Sequence, residues 1–541
     1  MARLISMISI FLFSAMAQAT NAPPRIMGYY PFWVNTPLAQ IPFERINQLN
    51  YAFAKLDADG NISPGEAAFD LNKATMLADG QLLLGNYAVL QAMKRAHPQL
   101  KAVIAIGGWH NSAHFSDVAA DPALRRAFAL SVLAFTERYG FDGVEINWHF
   151  PGFGGKKSNS QRKDDGKNLA LLLRAIQREK AQRPLIVGLS LGPLPQQIAA
   201  LPLHELMPLI DYAVLQVGDF TGAWSPITGH KSPLYAPPTA LSIDTALKQL
   251  QQNGAELSKI SLLLPTQGMS FIGVAAAQLG QPHHGASFGT WDNPNTGATG
   301  MIGQNEMAAI IQQGGFSSHW DELSQAETFY SARLQQWISI ETQRSLRGKL
   351  GYAERAGLAG MALWDLSSDA SSGSLLQAIE WHYFPLQALL HDAQEAWPRY
   401  ASWAFALLGV LLATLLFMGA GLLLRHRRER AWVEHAQSLN TLPTNLLALQ
   451  HSSQTIVLHA DNADLIAQAQ AVLDASASLA RQLSPLLDAP DEAITAVLSP
   501  APDDPATYVP LSSAADNPDT YVPLNPATSM PLSPAAQRLH N

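Results

Sequence analysis

The chain has 541 residues, room for two or three domains at about 150 residues each, and it has no cysteine. Disulfides, thiolate metal sites and cysteine nucleophiles are therefore excluded. Only 14% of the residues are charged and the mean hydropathy is +0.02, which points to a membrane-embedded stretch, while a net charge of −8 argues against nucleic acid as a partner.

Residues 1–19, MARLISMISIFLFSAMAQA, carry Arg3, an apolar stretch to Met16 and the small-x-small set Ala17-Gln18-Ala19. This is the pattern of a cleavable export signal. Eight strand-like apolar runs follow: RIMGYYPFW (25–33), INQLNYAFA (46–54), KAVIAIGGW (101–109), FDGVEINW (141–148), LIVGLSLG (185–192), DYAVLQVGDF (211–220), KISLLLPTQG (259–268) and GMALWDL (360–366). Helical patterns such as DPALRRAFALSVLAFTERYG lie between several of them. Runs that are continuously apolar belong to strands buried on both faces, so the alternation predicts an α/β fold, a closed (β/α)8 TIM barrel over residues 24–385. Residues 268–336 are too many for a simple connection and read as an insertion walling a cleft.

Residues 386–400 are expected to link the barrel to a transmembrane helix at 401–424, which has 24 residues and no charge. At 1.5 Å per residue it is about 36 Å long, enough to cross a core of about 30 Å. Trp397, Tyr400 and Trp403 mark one interface; Arg425, Arg427, Arg428 and Arg430 mark the other. The positive-inside rule then predicts a single-pass protein of a bacterial inner membrane, with the barrel exported and the tail cytoplasmic.

Residues 425–498 read as helical with one short strand from Thr455 to His459, and Leu465, Ala469, Val472, Ser476, Leu479 and Leu483 form a heptad-like stripe. The stripe suits packing on its own small domain or dimerisation. Residues 499–541 are Pro-rich and read as disordered, and DDPATYVPL (503–511) repeats as DNPDTYVPL (516–524). The repeat is a candidate docking site for a cytoplasmic protein, with Thr507 and Thr520 as phosphorylation candidates.

FDGVEINWHFPG resembles the fourth-strand signature of glycoside hydrolase family 18, the chitinases and chitinase-like lectins, which runs Asp-Gly-x-Asp-x-Asp-x-Glu. GYYPFW, NYAFA, AIGGW, DFTGAWSPITGHKSPLY, GTWDNP and the segment ending GMALWDL continue the resemblance in order over residues 24–385. It implies the same barrel with an α+β insertion after strand 7. It also implies a mechanism in which a Glu protonates the leaving oxygen, the sugar's N-acetyl oxygen attacks, and an Asp and a sixth-strand Tyr hold that amide.

This chain departs from that pattern where the chemistry lies. Asp142 and Gly143 match, but the inward positions are Glu145, Asn147 and His149. The acid is thus replaced by His149, the orienting Asp by Asn147, and the sixth-strand Tyr by Gly218, although Asp219 remains. The family's Tyr-Gly-Arg after strand 7 is Gln267-Gly268-Met269, and its third-strand Ser is Ala105. A positioned acid is worth about 10²–10⁴ in rate, so these losses predict a pseudoenzyme.

His149 is expected to be neutral and bonded to Glu145 or Asp219. Aromatic platforms remain at Tyr30, Phe53, Trp109, Trp224, Trp291 and Trp364, and these with Asp142, Glu145, Asn147, His149 and Asp219 are the candidate ligand-binding residues. The expected ligand is an N-acetylated glycan, chitin-type or peptidoglycan-derived, and no cofactor or metal is expected. Three alternatives stand beside this one: a residual hydrolase using His149 as a rearranged acid, a protein-binding scaffold, and a metal site in which Glu145, His149, Asp219 and His110 converge.

Overall fold

The computed structural model describes residues 23–439 except 291, 293, 294, 296 and 370–373, together with residues 467, 470, 471, 474 and 478. The expected signal (1–19), Trp291, the tail strand, the heptad-stripe residues and the 503–524 repeats lie outside the described residues.

Each of the eight apolar runs forms a strand: β1 Arg25–Pro31, β2 Gln48–Leu56, β3 Lys101–Gly107, β4 Gly143–Asn147, β5 Ile186–Leu191, β6 Tyr212–Gln216, β7 Ile260–Pro265 and β8 Gly360–Trp364. Neighbours pair in parallel, and β1 bonds both β2 and β8, so the sheet closes. Helices α1 Asn86–Ala96, α2 Pro122–Tyr139, α3 Asp165–Lys180, α4 Ile243–Gln252 and α5 Gln343–Arg355 coat the outside. Their limits follow local chemistry. The Asp121 carboxylate accepts from the amides of Ala123 and Leu124 at the start of α2, and Gly140, at φ 72°, ends it.

Strand periodicity divides the core. Val144 and Ile146 of β4 join the large cluster between barrel and helices, whereas Met27, Tyr29, Tyr212, Val214, Leu263 and Ala362 fill the barrel itself. After β7 the chain enters an antiparallel sheet that includes Gln267–Ile272, Ser317–Asp321, Ala326–Ser331 and Gln336–Ser339, with a helix at Gln304–Gly314. This is the α+β insertion.

Beyond the barrel come α6 Leu375–Tyr383 and α7 Pro385–Leu439. Residues 386–400 are therefore helical rather than an extended linker. Arg45, just before β2 and so at the barrel end opposite the strand C-termini, ties α6 to the N-terminal part of α7. Its guanidinium pairs with Glu380 of α6 (2.5 Å) and with Asp392 (2.7 Å) and Glu395 (2.8 Å) of α7. His391 Nδ1 lies 2.5 Å from the other oxygen of Glu380. Residues from 405 onward form a separate unit. In it, Gly409–Arg430 is a 22-residue stretch of mean hydropathy 1.6, long and apolar enough to cross a membrane.

Candidate functional site

The mouth at the strand C-termini is organised around Glu145. Its side chain is fully buried; Oε2 accepts from Tyr29 Oη (2.6 Å), Asn50 Nδ2 (2.6 Å) and Tyr212 Oη (3.1 Å), and Oε1 accepts from Asn147 Nδ2 (2.8 Å). Burial raises the Glu145 carboxyl above the usual carboxylate range, against the lowering effect of those four hydrogen bonds. Glu145 is thus a structural hub whose acceptor capacity is used internally. Asn147 is also buried, and its Oδ1 has no partner.

His149 is held by its backbone: its amide donates to Ser112 Oγ (3.0 Å) and its carbonyl accepts from Asn159 Nδ2 (2.9 Å). Ser112 itself donates to Gly108 O (2.7 Å), and Gly108 N donates to Asn147 O (2.7 Å). The paired glycines of AIGGW make this possible. Gly107 and Gly108 sit at φ 104° and 71°, and a Cβ on Gly108 would fall 2.6 Å from the Phe53 ring.

The partner of the imidazole is Gln216, neither Glu145 nor Asp219. Gln216 Nε2 lies 2.8 Å from His149 Nε2 and 2.6 Å from Ser190 Oγ. With the amide donating to both, His149 Nε2 is the acceptor and the ring hydrogen sits on Nδ1, which is buried without a partner. Burial pushes the imidazole down to about 4, only partly opposed by Asp219. Its neighbour is thus Gln216, where Glu145 or Asp219 was expected.

That depressed value has a sign. A base whose folded pKa lies below its unfolded value stabilises the fold above pH 6.5 and loses that contribution as pH falls toward 4. His149→Gln should flatten the acid limb of the stability curve, by about 3 kcal/mol between pH 6.5 and 4. Denaturant midpoints of the two proteins across that range check it; parallel curves would show a solvated imidazole.

Several candidate residues fall elsewhere than expected. Tyr30 is buried on the outer side of β1, its hydroxyl donating to Thr36 O (2.8 Å), because alternate residues face opposite ways. Tyr29 takes the inward place and packs 5.4 Å from Trp364. Asp142 precedes β4, at the opposite end of the barrel, where it pairs with Lys94 (2.8 Å) and accepts from Ala102 N. Neither Tyr30 nor Asp142 lines the mouth. Asp219 is exposed and answered by Lys231 Nζ at 3.3 Å. Among the described residues, no three His, Asp or Glu side chains gather as the metal alternative requires.

The aromatics fare better. Phe53 stacks on Trp364 at 5.7 Å and lies 6.2 Å from Trp33, which is 50% exposed. Trp33 was not among the expected residues, although it ends the first apolar run. Trp109 is 48% exposed and meets the His149 ring edge-on at 6.3 Å; Trp224 is 70% exposed. Gly218 leaves open the place of the family's Tyr, with the Pro265 ring 3.1 Å from where its Cβ would be. Gln267 Nε2, where the family has Tyr, donates to Asp365 Oδ2 (3.1 Å) and Ser368 Oγ (3.1 Å).

A closed eight-stranded barrel with an α+β insertion after β7 and aromatics at the strand C-termini is the frame of the family that the sequence resembles. The profile of the Glycosyl hydrolases family 18 matches residues 25–369, and the chain belongs to that family. Chitinase A1 of Niallia circulans is 29% identical over 418 residues, covering 67% of this chain and 58% of its own length. The chain thus spans little more than half of that relative. Endochitinase 1 of Metarhizium robertsii is 28% identical over 387 residues, covering 65% of this chain and 86% of its own. A chitinase structure from Bacillus thuringiensis superposes with a TM-score of 0.63 at 26% identity, covering 67% of this chain and 70% of that one.

Proposed function

We propose that this chain is a catalytically silent family member that binds an N-acetylglucosamine-containing glycan, a chitooligosaccharide or a peptidoglycan fragment, as a sensor or tether at a membrane. The observation that carries this reading is His149. At the place of the family's acid stands an uncharged imidazole, bonded to Gln216, beside Trp109 and the Trp33–Phe53–Trp364 stack. Neutral imidazole is too weak an acid to protonate a leaving oxygen, and neutral Asn147 does not balance the charge of the cyclised sugar intermediate. Stacking on a sugar face needs neither.

The apolar stretch at Gly409–Arg430 supports a single membrane span. In this reading the barrel is exported from a bacterial cell, the span lies in the inner membrane, and the tail with its 503–524 repeats meets a cytoplasmic protein.

The test is a thermal-shift titration of the full chain in non-ionic detergent with chitooligosaccharides and muropeptides, with the sugars of each sample then analysed for cleavage. A ligand at 100 times its Kd should add about 2.7 kcal/mol and leave the sugar intact. Cleaved sugar would favour the residual hydrolase, the activity in the names of the relatives above. No shift and no cleavage would favour the scaffold.

A further inference from the structure

The loop joining β4 to α3 carries KKSNSQRK (156–163), four cations and no acid in eight residues, in a chain whose net charge is −8. It folds directly against the end of β4. Gly155 approaches the carbonyl of His149 so closely that a Cβ would lie 2.0 Å from that oxygen, and Asn159 donates to the same oxygen at 2.9 Å. Ser160 N donates to Ala113 O (3.2 Å) on the loop that bears Trp109. The loop is thus a fixed part of the rim.

Its cations are unevenly used. Arg162 pairs with Asp117 (2.6 Å) and donates to Ser116 Oγ, so it holds the loop in place. The Asp165 carboxylate is buried and accepts from Ser116 Oγ and from the amides of Gly152 and Arg162; Asp164 faces Lys167 at 3.4 Å. Lys156, Lys157 and Lys163 are exposed, and among the described residues none has an ion-pair partner. Among the acids at this rim, Glu145 is enclosed by four donors, Asp365 accepts from Gln267, Ser367 and Ser368, and Asp219 faces Lys231. The substitutions at 147 and 149 remove two further carboxylates relative to the family pattern. The unpaired lysines and the carboxylates lost at 147 and 149 move this rim toward positive potential, and charge of one sign favours ligands of the other.

From this juxtaposition we infer that the glycan taken by this mouth is an acidic one, an N-acetylated oligosaccharide bearing carboxylate groups, with Lys156, Lys157 and Lys163 reading the charge and the aromatics reading the sugar faces. The inference rests on the glycan-binding function proposed above and decides between its two ligand classes in favour of the carboxylate-bearing one. A neutral chitooligosaccharide would engage the aromatics alone.

The experiment is calorimetric titration of the full chain in non-ionic detergent at about 50 mM and about 300 mM salt. Three probes are used: a neutral chitotetraose, a tetrasaccharide of alternating N-acetylglucosamine and N-acetylmuramic acid with free carboxylates, and the methyl ester of that tetrasaccharide. The free acid should bind roughly tenfold tighter than its ester at low salt, with the advantage shrinking at high salt. In the K156Q/K157Q/K163Q variant, whose changes are all on exposed side chains, the advantage should vanish while ester binding is unchanged. Equal binding of acid and ester, or an advantage that survives the triple substitution, overturns the inference while leaving glycan binding intact. Failure of all three sugars to bind overturns the glycan-binding reading and this inference with it.

Discussion

Replacing three residues together, His149→Glu, Asn147→Asp and Gly218→Tyr, should raise hydrolysis of N-acetyl-chitooligosaccharides far above that of the parent. At the place of the family's acid, His149 offers the leaving oxygen no proton: its ring hydrogen is on Nδ1, and burial holds the imidazole down to about 4. A carboxyl at 149 would stand in the same buried place beside Gln216, where burial raises its pKa and leaves it a proton to give. An Asp at 147 would sit where Asn147 now contacts Glu145 at 2.8 Å, and two carboxyls that close share one proton. A Tyr at 218 requires the Pro265 ring, 3.1 Å from its Cβ, to yield by a few tenths of an ångström.

The acid is worth about 10²–10⁴ and a hydrogen-bond donor to the reacting amide about 10²–10³, so the gain in turnover should be on the order of 10⁴ or more. His149→Glu alone should recover far less, because groups that act as a unit are not additive. Gln267-Gly268-Met269 stays unlike the family's Tyr-Gly-Arg, so the gain should appear in kcat rather than in KM. Reducing-end release measured on parent, single and triple variants decides the matter. Turnover by the parent at a rate near that of the triple variant would show that His149 already serves as an acid.

Arg45→Met should destabilise the barrel by about 3–5 kcal/mol, the cost of leaving a buried charge without its partner. Glu380 is 1% exposed and keeps only His391 once the guanidinium is gone, and Asp392 and Glu395 lose their common cation. The same substitution releases the start of α7, so protease cleavage between 385 and 400 should become fast. Pairing it with Glu380→Gln should return most of the loss, since the uncompensated charge is then absent. Denaturant midpoints of the full chain in detergent, read with unchanged slopes, test the cycle. A loss below about 1 kcal/mol would place the network in the class of solvent-screened surface pairs.

The mouth and its charge pattern were only partly legible in the sequence. The run RIMGYYPFW is apolar on both sides, so it fixes a buried strand without telling which of Tyr29 and Tyr30 faces inward; register against β2 and β8 settles that. Glu145, Asn147 and His149 sit on alternate positions, so their shared inward face could be read directly. The partner of His149 could not, because Gln216 is 67 residues away on a strand two places along the sheet. Asp142 belongs to the same motif, yet it precedes β4 and falls at the far end of the barrel, beside Lys94.

The eight strands, the insertion after the seventh, the apolar stretch beyond the barrel and the loss of the family's carboxyls at 147 and 149 could all be read from the chain alone. The first three depend on composition and short-range periodicity, which act within a few residues; the last rests on the resemblance to the family's fourth-strand pattern. That Glu145 is enclosed by Tyr29, Asn50, Asn147 and Tyr212, and that Arg45 reaches Asp392 and Glu395 nearly 350 residues later, emerges only once the chain is folded. The same holds for the β4–α3 loop, whose Gly155 and Asn159 meet the carbonyl of His149. Such contacts exist only once the sheet has closed and its register is set, because closure is what brings strands distant in sequence to within hydrogen-bonding range.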